Sequence, residues 1–192
     1  MRTPSQPSLA TSARMPQPSI RTATLTDAEQ LAALAERTFR DTFAADNSTD
    51  DMDAYVRDAF SLDRLRGELV DDGNTFLLAY VDGGEQPTGY AKLRSGTTDP
   101  SVNGPDPIEL ERLYADRSAI GRGVGAALMQ ASLDEARSRG YRTLWLGVWE
   151  RNDRAIAFYQ RWGFKAVGDH VFRLGSDAQR DLIMERSVPG AP

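Results

Sequence analysis

The sequence predicts a mixed α/β domain in which helices cover a central sheet. Three observations carry that reading. Apolar residues recur at intervals of three and four over residues 26–43 and again over 124–139, as on one face of a helix. Elsewhere the period shortens to two, in stretches rich in Leu, Val, Tyr and Trp bounded by Gly, Pro and Asp. The two kinds of segment alternate along a chain of 192 residues with 40% hydrophobic composition, enough for one core and about one ordinary domain.

Taken in order, residues 1–18 are rich in Pro, Ser, Thr and Gln, and the expectation is a disordered tail followed by a folded domain over 19–188. Met15 is an alternative start. Ile20–Thr24 alternates as a short strand. Thr26 precedes Glu29 by three residues, a capping-box spacing that opens a helix, and Leu31, Leu34, Ala35, Thr38, Phe39 and Thr42 carry its inner face to about Phe43. Ala45–Thr49 reads as a polar loop. Two shorter helices follow over 50–60 and 61–71, with Tyr55, Val56, Phe60, Leu62, Leu65 and Leu69 as core candidates. Thr75–Val81 and Thr88–Arg94 are strands joined through Asp82-Gly83-Gly84, a hairpin signal. A Gly/Pro/Asp-rich loop over 96–107 leads to a strand at Ile108–Ala115. Then come a helix over 124–139 stopped by Gly140, a strand over 141–148, a helix over 152–162 stopped by Gly163, and two closing strands over 164–174 and 180–186.

Composition narrows the function. There is no cysteine, which excludes disulfides, thiolate metal sites and a cysteine nucleophile and suits a reducing cytoplasm. A single histidine, His170, disfavours a histidine-built metal site, so no metal is expected. The net charge is −5, and −7 without the two arginines of residues 1–18; such a surface repels nucleic acid and attracts cations. No stretch approaches the roughly 20 apolar residues that cross a bilayer. No apolar run follows Arg2 and Arg14 as a secretory signal would require. A cytoplasmic protein with neither nucleic-acid nor membrane partners is the expectation.

One motif carries chemistry. Gly121, Gly123 and Gly125 lie between a strand and a helix, where glycine permits positive φ and lets successive N–H groups converge on an anion. The positive end of the helix that begins near Val124 favours the same charge. The spacing GxGxG is neither a Walker A loop nor the GxGxxG dinucleotide fingerprint. Taken alone it is as compatible with a tight turn as with a phosphate cradle.

Context separates the two. Glu109-Leu-Glu-Arg-Leu-Tyr-Ala115 followed by Ile120-Gly-Arg-Gly-Val-Gly-Ala-Ala-Leu128 resembles the acetyl-CoA motif of the GNAT superfamily of N-acetyltransferases. Trp145-Leu-Gly-Val-Trp-Glu-Arg-Asn152, Ala155-Ile-Ala-Phe-Tyr159 and Trp162-Gly-Phe164 resemble that superfamily's second motif. Within it the chain is most similar to the PaiA-type spermidine/spermine acetyltransferases, through Thr38–Phe43, Leu146–Trp149, Gly168–His170 and Gln179–Met184. Ile120 departs from the pattern, since many relatives carry Arg or Gln there.

The resemblance implies a mostly antiparallel mixed sheet splayed between its fourth and fifth strands, with acetyl-CoA as acetyl donor. Its pyrophosphate would lie on Gly121, Arg122, Gly123, Val124, Gly125 and Ala126. Its pantetheine would pair with the backbone of Leu113 and Ala115 beside Tyr114, and meet Asn152 and Phe158. Tyr159 matches the tyrosine that protonates the departing thiolate. Glu111, and after it Glu109, match carboxylates used as base; two apart in a strand, they should share a face with Leu113 and Ala115. Asn152 also suits a helix N-cap. With no cysteine and no serine in a nucleophile elbow, direct transfer in a ternary complex is expected.

For the acceptor, Asp41, Asp46, Asp50, Asp51 and Asp53 interleave with Phe39, Phe43 and Tyr55 in the region that covers the acceptor in the family. The acceptor set is thus Phe43, Asp41, Tyr55 and His170, the last read first as a hydrogen-bonded strand histidine. A small-molecule amine, a polyamine first, is the expected substrate. The alternatives are a protein N-terminus, a lysine or an aminoglycoside, and, in another class, a non-catalytic acyl-CoA sensor. Dimers are common in the superfamily, so a homodimer is admitted, with no interface marked in the sequence.

Overall fold

The computed structural model describes residues 17–174 and 177–190; most of the segment read as a tail, residues 1–16, lies outside them. The chain runs β1 (Ser19–Thr22), α1 (Ala28–Phe43), α2 (Thr49–Ala59), α3 (Leu62–Val70), β2 (Asn74–Tyr80), β3 (Gly89–Arg94), β4 (Pro107–Ala115), α4 (Val124–Ser138), β5 (Thr143–Trp149), α5 (Asp153–Arg161), β6 (Lys165–Leu174) and β7 (Asp177–Ser187). The seven strands form one sheet in the order β1-β2-β3-β4-β5-β7-β6. Every neighbouring pair is antiparallel except β4 and β5, which run parallel. The mixed, mostly antiparallel sheet expected from the sequence is therefore present.

Strand alternation sorts side chains into two cores. Leu77, Ala79, Ala91, Leu93, Ile108 and Leu110 face α4 and α5, where Leu128, Met129, Leu133 and Tyr159 close the packing. Phe76, Leu78 and Tyr90 point the other way, onto Leu31, Leu34, Phe39, Met52, Val56 and Leu65 of α1–α3. Burial on both faces explains why β2 reads as a continuous apolar run rather than an alternating one.

Three local details differ from the sequence reading. The helical turn before α1 starts at Leu25 rather than after Thr26: Asp27, not Glu29, closes the capping interaction, accepting the Thr24 N–H at 2.8 Å. Arg21 holds the same carboxylate through Nη2 at 2.6 Å and keeps it well below the usual carboxylate range. Thr42 does not join the buried face of α1; it is exposed, and its Oγ1 donates to the Thr38 carbonyl. Tyr141 and Arg142 stay out of β5, because the Tyr141 N–H donates back to the Ala136 carbonyl and the Arg142 N–H to that of Asp106. The β2–β3 turn is as expected, with Asp82 and Gly83 both at positive φ and the Gly84 N–H bonded to Val81.

The fold positions the site through one discontinuity. β4 and β5 are paired only over Pro107–Glu109 and Thr143–Trp145. Beyond that β4 continues to Ala115 and β5 to Trp149 with no pairing between them, so the sheet opens between its fourth and fifth strands. A β-bulge accompanies the opening. Lys92 faces Arg112 while Leu93 faces Leu110, which leaves Glu111 as the extra residue.

Candidate active site

The bulge resets which way β4 points its side chains. Ile108 and Leu110 lie in the core under α4, and three residues on from Leu110, not two, Leu113 rejoins that core, followed by Ala115. Arg112 and Tyr114 turn to the opposite face, Arg112 over the Phe60 ring at 5.1 Å and Tyr114 among the α1–α3 aromatics. The expectation that Glu109 and Glu111 share a face with Leu113 and Ala115 is corrected accordingly: the two-residue period does not survive an inserted residue.

Glu111 and Glu109 consequently occupy different surroundings. Glu111 meets Lys92 Nζ at 2.9 Å, Arg112 Nη2 at 3.1 Å and Arg94 Nη1 at 3.4 Å. Glu68 of α3 completes the cluster, 3.0 Å from Lys92 and 3.1 Å from Arg112. Burial pushes the Glu111 carboxyl up, but Arg112 and Lys92 outweigh it and hold it below its ordinary value. Glu109 accepts from Thr97 Oγ1 at 2.9 Å; there burial prevails and its carboxyl is raised.

A cavity of about 840 Å³ fills the opening between β4 and β5. At one end it is lined by Leu113, Tyr114 and Ala115, by Ile120, Gly121 and Gly123–Ala126, and by Asn152, Ala155 and Phe158. Gly121 and Gly123 hold φ of 80° and 79°, the left-handed region that favours glycine. The first helical bond near this loop runs from the Ala127 N–H to the Gly123 carbonyl, so the amides of Val124, Gly125 and Ala126 precede the helical ladder of α4. From Leu110 to Ala115 the edge of β4 that faces β5 has no strand beside it. Free amides at a helix start and an unpaired strand edge are what an anionic pyrophosphate followed by an amide-bearing arm requires.

Most of the residues expected for the cofactor therefore line one cavity. Arg122 does not line the cavity; its guanidinium pairs with Asp82 of the β2–β3 turn. Asn152 caps α5, its Oδ1 accepting the Ala155 N–H at 3.1 Å, and also lines the cavity. Four cations absent from the expected site residues line it as well: Arg112, Arg117 and, on α5, Arg154 and Arg161. Together with Phe158, the two on α5 fall at helical spacing, a periodicity that could have found them.

Tyr159 joins the cavity from α5, packed between Phe158 and Phe164, and burial pushes its phenol up to about 12. Beyond it the wall is aromatic. Phe39 stacks on Tyr55 with ring centroids 4.6 Å apart and lies 4.7 Å from Phe43; Phe43 lies 6.0 Å from Trp149, and Tyr55 5.8 Å from Phe172.

The acids of the α1–α2 region are sorted by the fold. Asp41 lines the cavity and lies 3.7 Å from Arg117. Asp53 pairs with Arg40, Asp51 accepts from the α2 cap Ser48, and Asp46 and Asp50 are exposed. His170 sits on β6 with Nδ1 3.3 Å from Asp99 Oδ2 and is not among the lining residues. One lining acid was missed by the sequence reading: Asp181 of β7, whose Oδ1 is buried without a hydrogen-bond partner among the described residues. It stands two residues from both Gln179 and Ile183, the face of that strand that the fold buries.

Residues 29–164, more than half of the chain, match the Acetyltransferase (GNAT) family. The chain belongs to that family. It is 35% identical over 162 residues to an uncharacterised N-acetyltransferase of Lactobacillus delbrueckii subsp. lactis, a match that spans 84% of this chain and 92% of that one. Over 80 residues it is 39% identical to the ribosomal protein bS18-alanine N-acetyltransferase of Escherichia coli K12, covering 41% of this chain and 54% of that enzyme. Its fold matches the crystal structure of the PaiA N-acetyltransferase of Thermoplasma acidophilum in complex with coenzyme A, with a TM-score of 0.71 and 23% identity over 89% of this chain and 99% of that one. The protein is thus an acetyl-CoA-dependent N-acetyltransferase. Acetyl-CoA supplies an acyl carbon already activated as a thioester.

Proposed function

We propose that the acceptor is a primary amine of a polyamine such as spermidine or spermine, acetylated by direct transfer in a ternary complex. One observation carries this reading: the cavity is lined by the aromatic rings of Phe43, Tyr55, Trp149 and Phe172 and by the carboxylates of Asp41 and Asp181. A flexible cation with an apolar stem is suited by aromatic faces and spaced negative charge. The net charge of −5 draws the same class of molecule at long range.

In this reading Tyr159 is the acid. With its phenol pushed up to about 12 it is protonated throughout the neutral range and can hand its proton to the sulfur as the C–S bond breaks. The amides of Val124–Ala126 hold the pyrophosphate, and the β4 edge at Leu113 and Ala115 aligns the pantetheine. The absence of cysteine favours direct attack over an acyl-enzyme.

The test measures thiol release from acetyl-CoA with spermidine, spermine, putrescine and a peptide with a free N-terminal alanine. The polyamines are expected to turn over with the higher kcat/KM, and Tyr159→Phe to lower kcat by about a hundredfold or more. A peptide that outperforms every polyamine would sink the acceptor assignment in favour of a protein N-terminus, the acceptor named for the Escherichia coli relative.

A further inference from the structure

Asp181 has the features of a proton acceptor and, among the described residues, no structural partner to explain its burial. β7 runs between β5 and β6, and in register Asp181 faces Trp149 on one side and His170 on the other. Directly opposed residues in antiparallel strands share a face, and Trp149 lines the cavity beside it. Gly147, two residues before Trp149, keeps the approach clear. A Cβ placed there would lie 3.6 Å from Asp181 Oδ2 and 3.5 Å from His170 Nε2, so a side chain at this position would pack against the carboxylate from the cavity side. A buried carboxylate oxygen with no hydrogen bond costs stability and calls for an explanation in function.

We propose that Asp181 is the catalytic base, the carboxylate that takes a proton from the incoming ammonium group of the acceptor. Glu111 lines the same cavity, but its charge is taken up by Lys92, Arg112 and Arg94. A carboxylate held below its ordinary value by three cations is a poor acceptor. Asp181 faces no such set. β5 presents Gly147 and Trp149, both uncharged; β6 presents His170, whose Nδ1 is turned to Asp99. The neighbouring Arg180 is paired with Glu150 and Asp169. The charged groups that line the cavity with it are Glu111 and Arg112, Asp41 with its Arg117, and Arg154 and Arg161, beside the phenol of Tyr159. Burial pushes the Asp181 carboxyl up to about 6, with His170 opposing. A base with that value is ionised at neutral pH yet stronger than an ordinary carboxylate.

The protons balance. Of the three on the ammonium nitrogen, one passes to Asp181 and on to solvent. The nitrogen lone pair so freed forms the C–N bond as the C–S bond breaks. A second replaces the proton that Tyr159 gives to the sulfur, and the third stays on the amide product.

The inference rests on the N-acetyltransferase activity and, for its acid, on Tyr159; it does not depend on a polyamine as acceptor. The experiment compares wild type with Asp181→Asn from pH 5 to 9, using whichever amine of the panel turns over fastest. In wild type, kcat/KM is expected to climb through pH 6 as Asp181 ionises. In the variant it is expected to fall by about a hundredfold at pH 7.5 and to lose that limb, with acetyl-CoA affinity unchanged within about twofold. A variant within threefold of wild type, or one that keeps the limb, overturns the assignment. Spermidine and spermine left inert while the peptide reacts would remove the polyamine reading alone. Should Asp181→Asn fail to fold, or no amine of the panel turn over, carbon-13 titration of the wild-type Asp181 carboxyl decides: a midpoint near 6 supports the base, and one near 4 removes it.

Discussion

Glu111 and Asp181 border one cavity, yet their surroundings drive them in opposite directions, and the difference can be measured without substrate. Glu111 is one of two carboxylates that balance Lys92 and Arg112, whose side chains are only 3% and 8% exposed. Glu111→Gln leaves two nearly dry cations facing Glu68 alone. Breaking a buried ion pair from one side costs about 3–5 kcal/mol, so the urea midpoint of this variant should drop sharply. A loss below 1 kcal/mol would mean that water screens the cluster. Asp181 carries the reverse sign. A carboxyl raised to about 6 in the folded protein, against about 3.9 unfolded, binds its proton more tightly when folded. Its contribution to stability is full below pH 4 and lost as pH rises through 6. Asp181→Asn removes that ionisation, so the variant should gain on wild type as pH rises from 4 to 8. The gain is expected to be about 1 kcal/mol after allowing for partial exposure, read from urea unfolding at the two pH values.

At the scale of elements, the loop before α4 joins sequence to chemistry most directly. Gly121-Arg122-Gly123-Val124-Gly125 was legible because three glycines between a strand and a helix have a physical purpose, and because Glu109–Ala115 and Asn152–Tyr159 stand in the expected places around it. Gly123 holds φ at 79°, so any side chain there is strained, and a carboxylate adds repulsion toward phosphate. Gly123→Asp is expected to weaken acetyl-CoA binding at least tenfold by calorimetry; unchanged affinity would defeat the phosphate assignment. Arg122 marks where legibility stopped. The sequence placed it in the loop and suggested a phosphate contact, but it could not show Asp82, forty residues earlier, arriving beside it on the β2–β3 turn. The bulge at Glu111 was hidden for the same reason. Residues 109–115 alternate without interruption in the sequence, and only pairing with β3 makes Glu111 the extra residue. Asp181 was missed because an acid on a closing strand reads as surface until its neighbouring strands are known.

For the whole molecule, the opening between β4 and β5 is both the proposed cofactor site and the place where the sheet is least paired. The sheet carries one core under α4 and α5 and another under α1–α3, and at its centre only Pro107–Glu109 and Thr143–Trp145 pair across. Over the rest of β4 the edge facing β5 has no strand partner, so the amides on that edge depend on ligand or water for hydrogen bonds. Acetyl-CoA lying along that edge as an added strand, with its pyrophosphate on the α4 amides, would join the halves where the sheet does not. Saturation at a hundred times Kd should stabilise the fold by about 2.7 kcal/mol, seen as a rise in Tm, as for any ligand that binds only the folded state. One consequence separates this from a ligand that merely sits on the surface. Hydrogen exchange should slow at β4 residues 110–115 and at Val124–Ala126, the groups that gain partners, and much less at β2 and β3, which are paired on both edges. Protection spread evenly over the sheet, or confined to the α4 amides, would mean that the pantetheine arm does not pair with β4.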